Sequence, residues 1–134
     1  MASNLKYSNG TRDAQQQGLI TYAGSGCLLN IYNGTQPANA NTAISTQTLL
    51  VTLVIAGSFG TDSNGTLTLG TVTDGVAVAT NTATFFRIFK TDGTTVVMDG
   101  SVGTSGADLN LNSTAIGLGQ TVSITSGTIV RNNQ

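Results

Sequence analysis

Between positions 81 and 112 the chain reads NTATFFRIFKTDGTTVVMDGSVGTSGADLNLN, and this stretch restricts the fold more than any other. Apolar runs at 83–89 and 96–102 flank Lys90-Thr91-Asp92-Gly93-Thr94. Asp-Gly accepts the positive φ angles that tight hairpin turns demand, and the β-branched and aromatic residues around it suit a pleated, half-buried surface. A β-hairpin follows, with Phe86 and Ile88 on one face and Ala83, Phe85, Arg87 and Phe89 on the other. A Gly-Thr-Ser-Gly turn at 103–106 then leads into Leu-Asn-Leu at 109–111, a half-exposed strand.

The rest of the chain repeats this grammar. CLLNIY at 27–32 reads as a strand. Residues 47–56 read as a second, apolar on both faces and so expected to be covered on both. Residues 33–42 have the Gly, Pro and Asn density of a long loop. Residues 58–65 read as a turn-rich loop, 66–69 as a short strand, 71–80 as a small hairpin about Asp74-Gly75, and 121–130 as a long strand kinked at Gly127. Only the N-terminal region differs. Thr11 can cap a short helix with Asp13 in its first turn and Gly24 at its end, although Leu19, Ile20 and Ala23 make a thin apolar stripe beside Gln15, Gln16, Gln17 and Gly18. The reading is an arm at 1–10 and one domain at 11–134: an all-β fold, a β-sandwich of jelly-roll or immunoglobulin-like type with about seven to eight short strands and one short N-terminal helix. Strand order is not specified at this level.

Chemistry is sparse. The 134 residues include no His, and the six acidic residues are all Asp, so Ser/His and Cys/His nucleophilic catalysis and His-based zinc sites are excluded. Asp99 and Asp108 are the carboxylates best placed to meet across adjacent strands, yet most of the Asp residues stand beside Gly or Ser, as turn-formers do. Asp62-Ser63-Asn64-Gly65 offers oxygen ligands without the EF-hand spacing or its terminal Glu, so a plain turn is the better reading. Cys27 is the only cysteine and precedes Leu28-Leu29, as a buried small hydrophobe would. With no Trp, only Tyr7, Tyr22 and Tyr32 are left for a sugar-stacking platform. Neither an enzyme nor a cofactor or metal is expected.

The surface is polar but nearly uncharged: 8% of residues are ionised and the net charge is −1. The five basic residues are scattered, which speaks against nucleic acid as a partner. A neutral surface of this kind packs against copies of itself with little repulsion. The N-terminus lacks the apolar stretch of a signal peptide, and the longest apolar run, 49–56, is too short to cross a bilayer, so no membrane partner is expected.

Three segments, IYNGTQPAN, TDGTTVV and GTSGADLNLN, lie within longer blocks at 27–53 and 85–112 that resemble a group of small all-β virion structural proteins of tailed bacteriophages. The opening NLKYSNGTRDAQ fits the same likeness. The resemblance implies a virion component and, most specifically, a capsid decoration or cement protein on the outer surface of an icosahedral head. It implies the major capsid protein and copies of the chain itself, as a trimer or dimer, for partners. The alternative is a tail, baseplate or fibre component that touches the host surface or a glycan. On either reading contacts are expected from Lys6, Tyr7 and Arg12 on the arm side and from Asn33, Gln36, Pro37 and Asn39 in the long loop.

Overall fold

A computed structural model describes residues 4–130, so the outermost parts of the expected arm and domain lie outside the described residues. The fold is mostly β with one helix. Helix α1 (Asn9–Ala23) precedes β1 (Leu28–Asn33), β2 (Thr48–Ile55), β3 (Gly60–Ser63), β4 (Thr66–Leu69), β5 (Val72–Thr73), β6 (Gly75–Val76), β7 (Asn81–Thr82), β8 (Phe85–Phe89), β9 (Val96–Gly103), β10 (Leu109–Leu111), β11 (Ala115–Ile116), β12 (Thr121–Val122) and β13 (Ile124–Val130). The described residues thus hold more strands than the seven to eight expected, because several runs that read as one piece are broken by bends and change partner midway.

Nine strands form one sheet in the order β3-β4-β13-β10-β9-β8-β1-β2-β5, and the other four make two-stranded ribbons, β7 with β11 and β6 with β12. Every pairing is antiparallel except β9 with β10, where Val102 faces Leu109 and the chain steps sideways through 104–108 to continue in the same direction. The two ends of the sheet belong to a single bent ribbon. Ile55 faces Val72, Ala56 N–H donates to the Thr71 carbonyl at 2.8 Å, Gly70 N–H to Phe59 at 2.9 Å, and Gly60 faces Leu69. One limb of the ribbon, β2 continued by β3, pairs with β1, and the other, β4 continued by β5, pairs with β13. The sheet therefore curls round on itself, with register shifts at Ile31/Tyr32, Ile88/Phe89 and Asn110/Leu111 supplying the local bends that curvature needs. Leu29, Ile31, Leu53, Ile55, Phe59, Leu67, Phe86, Ile88 and Leu109 fill the interior.

The hairpin about Asp92-Gly93 is present as β8 and β9, with Phe86 and Ile88 in the core as expected. Several local expectations change. The helix starts two residues earlier than Thr11, and Ser8 is its cap, its Oγ accepting from Thr11 N–H at 3.2 Å. Asp13 lies beyond the first turn and instead accepts from Gly65 N–H at 2.6 Å. Gly24 does end the helix, with φ 75°. The segment 58–65 contains β3, and Asn64 (φ 51°) with Gly65 (φ 81°) makes the tight turn into β4. No hairpin forms at Asp74-Gly75: β5 pairs with β2 whereas β6 pairs with β12. The backbone crosses the sheet so closely there that a Cβ on Gly75 would lie 2.6 Å from the Thr52 carbonyl oxygen. The last long strand breaks at Ser123, while Gly127 stays in the ladder opposite Leu109. β2 is covered on one face only, since Leu49, Thr52 and Val54 are exposed.

Helix α1 crosses one end of the curled sheet, from the tip of the β3–β4 turn to the start of β1. Its apolar stripe is thin, and polar contacts complete the docking. Gln16, 3% exposed, donates from Nε2 to the carbonyls of Gly65 at 2.9 Å and Ile129 at 3.0 Å, while Gln17 donates to Asp62. At the other end, Ala77, Ala83, Ile116 and Val122 carry the core into the two short ribbons.

Candidate functional site

The expected contact residues do not converge on one place. Lys6 and Asn9 are exposed, Tyr7 is half-buried, and Arg12 donates to Asn9 Oδ1 at 3.0 Å while lying across Gly65. Lys6, Tyr7 and Arg12 thus sit at the helix end of the molecule, beside the tip of the bent ribbon. Asn33, Gln36, Pro37 and Asn39 lie where β1 gives way to β2, at the opposite end of the same ribbon.

That loop has its own internal scaffold. Asn33 Nδ2 donates to the Thr82 carbonyl at 2.8 Å, and Thr84 Oγ1 to the Gly34 carbonyl at 2.7 Å. Gln47 ties the two sides together, giving a hydrogen bond to the Thr35 carbonyl at 2.7 Å and accepting one from Ser45 N–H at 3.0 Å. Asn39 Oδ1 accepts from Asn41 N–H at 2.9 Å and from Thr42 Oγ1 at 3.3 Å, closing a turn. Gln36 remains exposed and Pro37 half-buried.

Charge is distributed unevenly between the ends. Lys6, Arg12, Asp13, Asp62, Lys90 and Asp92 all belong to the helix end, which holds α1, the β3–β4 turn and the β8–β9 turn. Segments 33–49, 75–84 and 112–123, which the topology gathers toward the other end, contain no ionisable side chain, although the exposed carboxylate of Asp74 adjoins the second of them, two residues before Val76. A shallow depression of about 350 Å³ opens there between Thr80, Asn81, Thr82, Ala115, Ile116 and Gly117. Val76, Val78 and Leu118, on the same segments, are 61%, 62% and 69% exposed. These three were not singled out by sequence reasoning. The absence of charge was legible in each segment, but only the chain path shows that the segments meet.

The Asp pair that a glycosidase would need is occupied otherwise. Asp99 takes both hydrogen bonds of Arg87, Nε at 2.6 Å and Nη2 at 2.9 Å, in a bidentate pair whose side chains are 2% and 5% exposed. The bonded carboxylate raises the Arg87 pKa against the opposing effect of burial. Asp108 Oδ2 accepts from Ser101 N–H at 2.9 Å and Ser101 Oγ at 3.0 Å, pinning the sideways step between β9 and β10. Both carboxylates border a cavity of about 230 Å³ with Phe86, Met98, Gly100 and Ile129.

Cys27 is fully buried, and burial pushes its thiol pKa up in spite of the nearby Lys90. Tyr32 is buried and stacked on Phe85 with ring centroids 5.2 Å apart, so it offers no platform to a sugar. Tyr22 is 51% exposed, with Lys90 Nζ held 3.8 Å from its ring centre. Among the described residues no group of three or more Cys or Asp side chains could hold a metal ion, and no helix is long and apolar enough to cross a membrane. No family model, curated protein or solved structure matches the chain.

Proposed function

We propose that this chain is a structural protein of a tailed-bacteriophage virion, and specifically a capsid decoration or cement protein. It binds the outer surface of an icosahedral head in many copies and holds neighbouring capsomers together, with the major capsid protein and copies of itself as partners. One observation carries the reading: the two candidate contact regions lie at opposite ends of a single closed β body. A protein that links neighbours has to present two separated surfaces, and many modest contacts then hold far more tightly than one. The motifs that carry the phage resemblance have architectural roles consistent with it. IYNGTQPAN forms the end of β1 and the internally bonded loop, TDGTTVV the β8–β9 turn, and GTSGADLNLN the sideways step into β10. On this reading the curled sheet, layered over one core, is the sandwich-like body on which the contact ends are mounted.

A reconstruction of the intact virion tests the proposal. Many copies of this chain distributed over the head, each bridging capsomers through the helix end or the loop end, is the expected outcome. A few copies confined to a tail vertex would replace it with the adsorption reading, and absence from the particle would sink both.

A further inference from the structure

We infer that a slot between β9 and β13 binds an extended peptide as an added β-strand, taking one large apolar side chain into the cavity beside Phe86 and a basic side chain against Asp108. The inference goes beyond the virion reading and does not depend on it, because the slot belongs to the wall of the curled sheet and uses none of the expected contact residues.

The slot exists because β10 is short. It stands between β9 and β13 only from the level where Leu109 faces Val102 on one side and Gly127 on the other. β9 runs back from there through Ser101, Gly100 and Asp99 to Val96, and β13 runs on through Thr128 and Ile129. Among the described residues no strand continues the row of β10 between them. Flanks held two strand spacings apart, about 10 Å, leave a gap one strand wide. β9 turns main-chain groups toward it. Val102 N–H donates to the Thr84 carbonyl, on the β8 side, so by alternation the N–H groups of Val97, Asp99 and Ser101 point away from β8. Ser101 N–H is taken by Asp108 at 2.9 Å. Val97 and Asp99 are left to offer the donors and acceptors of an edge strand.

The same gap holds the cavity of about 230 Å³, lined by Gly100 and Met98 from β9, Ile129 from β13 and Phe86 from β8. Gly100 keeps it open, since a Cβ there would lie 2.5 Å from the Phe86 ring. A cavity of about 150 Å³ already admits a benzene ring, so one Leu, Met or Phe side chain fits. Charge selects the second feature of the occupant. Asp99 is neutralised by Arg87, whereas Asp108 is exposed where it borders the cavity, and the described residues place no Lys or Arg on it. A Lys or Arg two residues along from the apolar side chain stands on the same face of an extended strand and meets this carboxylate. The Ile129 carbonyl is occupied by Gln16 at 3.0 Å, so the main-chain bonds come from β9. With β13 on its far side, the added strand leaves no fresh edge for another to follow.

The probe is the peptide Thr-Phe-Thr-Lys-Thr, acetylated and amidated at its ends, titrated into the full chain under heteronuclear NMR. Saturable shifts of the Val97 and Asp99 amides are expected, with slower hydrogen exchange at both. Replacing Phe by Ser in the peptide should weaken binding about tenfold or more. Methylating the peptide's main-chain nitrogens should weaken it at least as much, because strand addition needs those donors. Asp108→Asn keeps an acceptor for Ser101 N–H and should weaken this peptide about tenfold, while leaving Thr-Phe-Thr-Ser-Thr unaffected. Ile129→Phe fills the cavity and should abolish binding; if that variant does not fold, the peptide substitutions make the same test. Absence of binding at millimolar peptide overturns the inference, as does binding indifferent to the Phe or to N-methylation, or an Asp108→Asn effect equal on both peptides. Val97 and Asp99 amides already protected before peptide is added would overturn it too, since a segment of the chain itself would then fill the slot.

Discussion

Arg87 and Asp99 face each other across β8 and β9 as a bidentate pair sealed from water. Such a pair is not a large net source of stability, because desolvating both ions offsets most of their attraction. Removing one partner is another matter. Arg87→Ala leaves Asp99 buried and unpaired, with an expected loss of about 3–5 kcal/mol in urea denaturation, whereas Arg87→Met with Asp99→Leu should cost much less. The pair was half-legible in the sequence: alternation put Arg87 on the face opposite Phe86, but the register that brings Asp99 to it depends on the shift at Ile88/Phe89. Asp92 was read correctly as a turn-former. The Thr95 hydroxyl at 2.5 Å, with the N–H groups of Thr95 and Thr94, holds its carboxyl down to about 2. Because the folded value is lowered, the stabilisation is fully present above the unfolded carboxylate range near 4 and is lost as pH falls toward about 2. A carboxyl-carbon NMR titration should place the Asp92 midpoint near about 2, and Asp92→Asn should flatten the stability profile in that window.

At the level of elements, the helix shows why propensity and periodicity were only a partial guide. A helix with Gln at three consecutive positions looks poorly suited to docking, and its apolar stripe alone would hold it weakly. Gln16 resolves this by satisfying two carbonyls of the strands it crosses, a role that cannot be seen until β13 and the β3–β4 turn are in place. Gln16→Leu keeps the volume and removes both donors. The expected cost is about 2 kcal/mol, with faster amide exchange across α1 than across β8, measured by hydrogen exchange with mass spectrometry. Strands with strong alternation and clear turn chemistry, such as β8 and β9, were readable. Short ones that change partner at a corner, such as β5 and β6, were not, because the pairing of Val72 with Ile55 and of Val76 with Thr121 is decided by distant residues. The contact residues followed the same rule: the arm and the loop could each be named from sequence, but their separation onto opposite ends is a property of the path between them.

At the scale of the whole molecule, β13 is the piece that joins the bent ribbon to the rest of the sheet. Thr128 faces Thr68 on one side and Gly127 faces Leu109 on the other. A chain ended after Ser123 leaves β4 and β10 without this common neighbour and uncovers Leu67 and Leu109. It is expected to lose cooperative unfolding altogether, with no sigmoidal transition in thermal circular dichroism, where a dispensable terminal strand would only lower the midpoint. Pairings so distant in sequence also set a slow pace, and folding in the range of about milliseconds to seconds is expected for such a topology.

The curling of the sheet bears on what crowding would do to this protein. An open sheet carries at each margin a row of unpaired N–H and C=O groups, and molecules packed side by side can extend one another's sheets into fibrils. Here β1, β8, β10 and β13 each have a neighbour on both sides, so most of the main chain is already committed within the molecule. Copies held close together are left to touch through side chains, in contacts that can form, break and re-form without templating the exchange of strands.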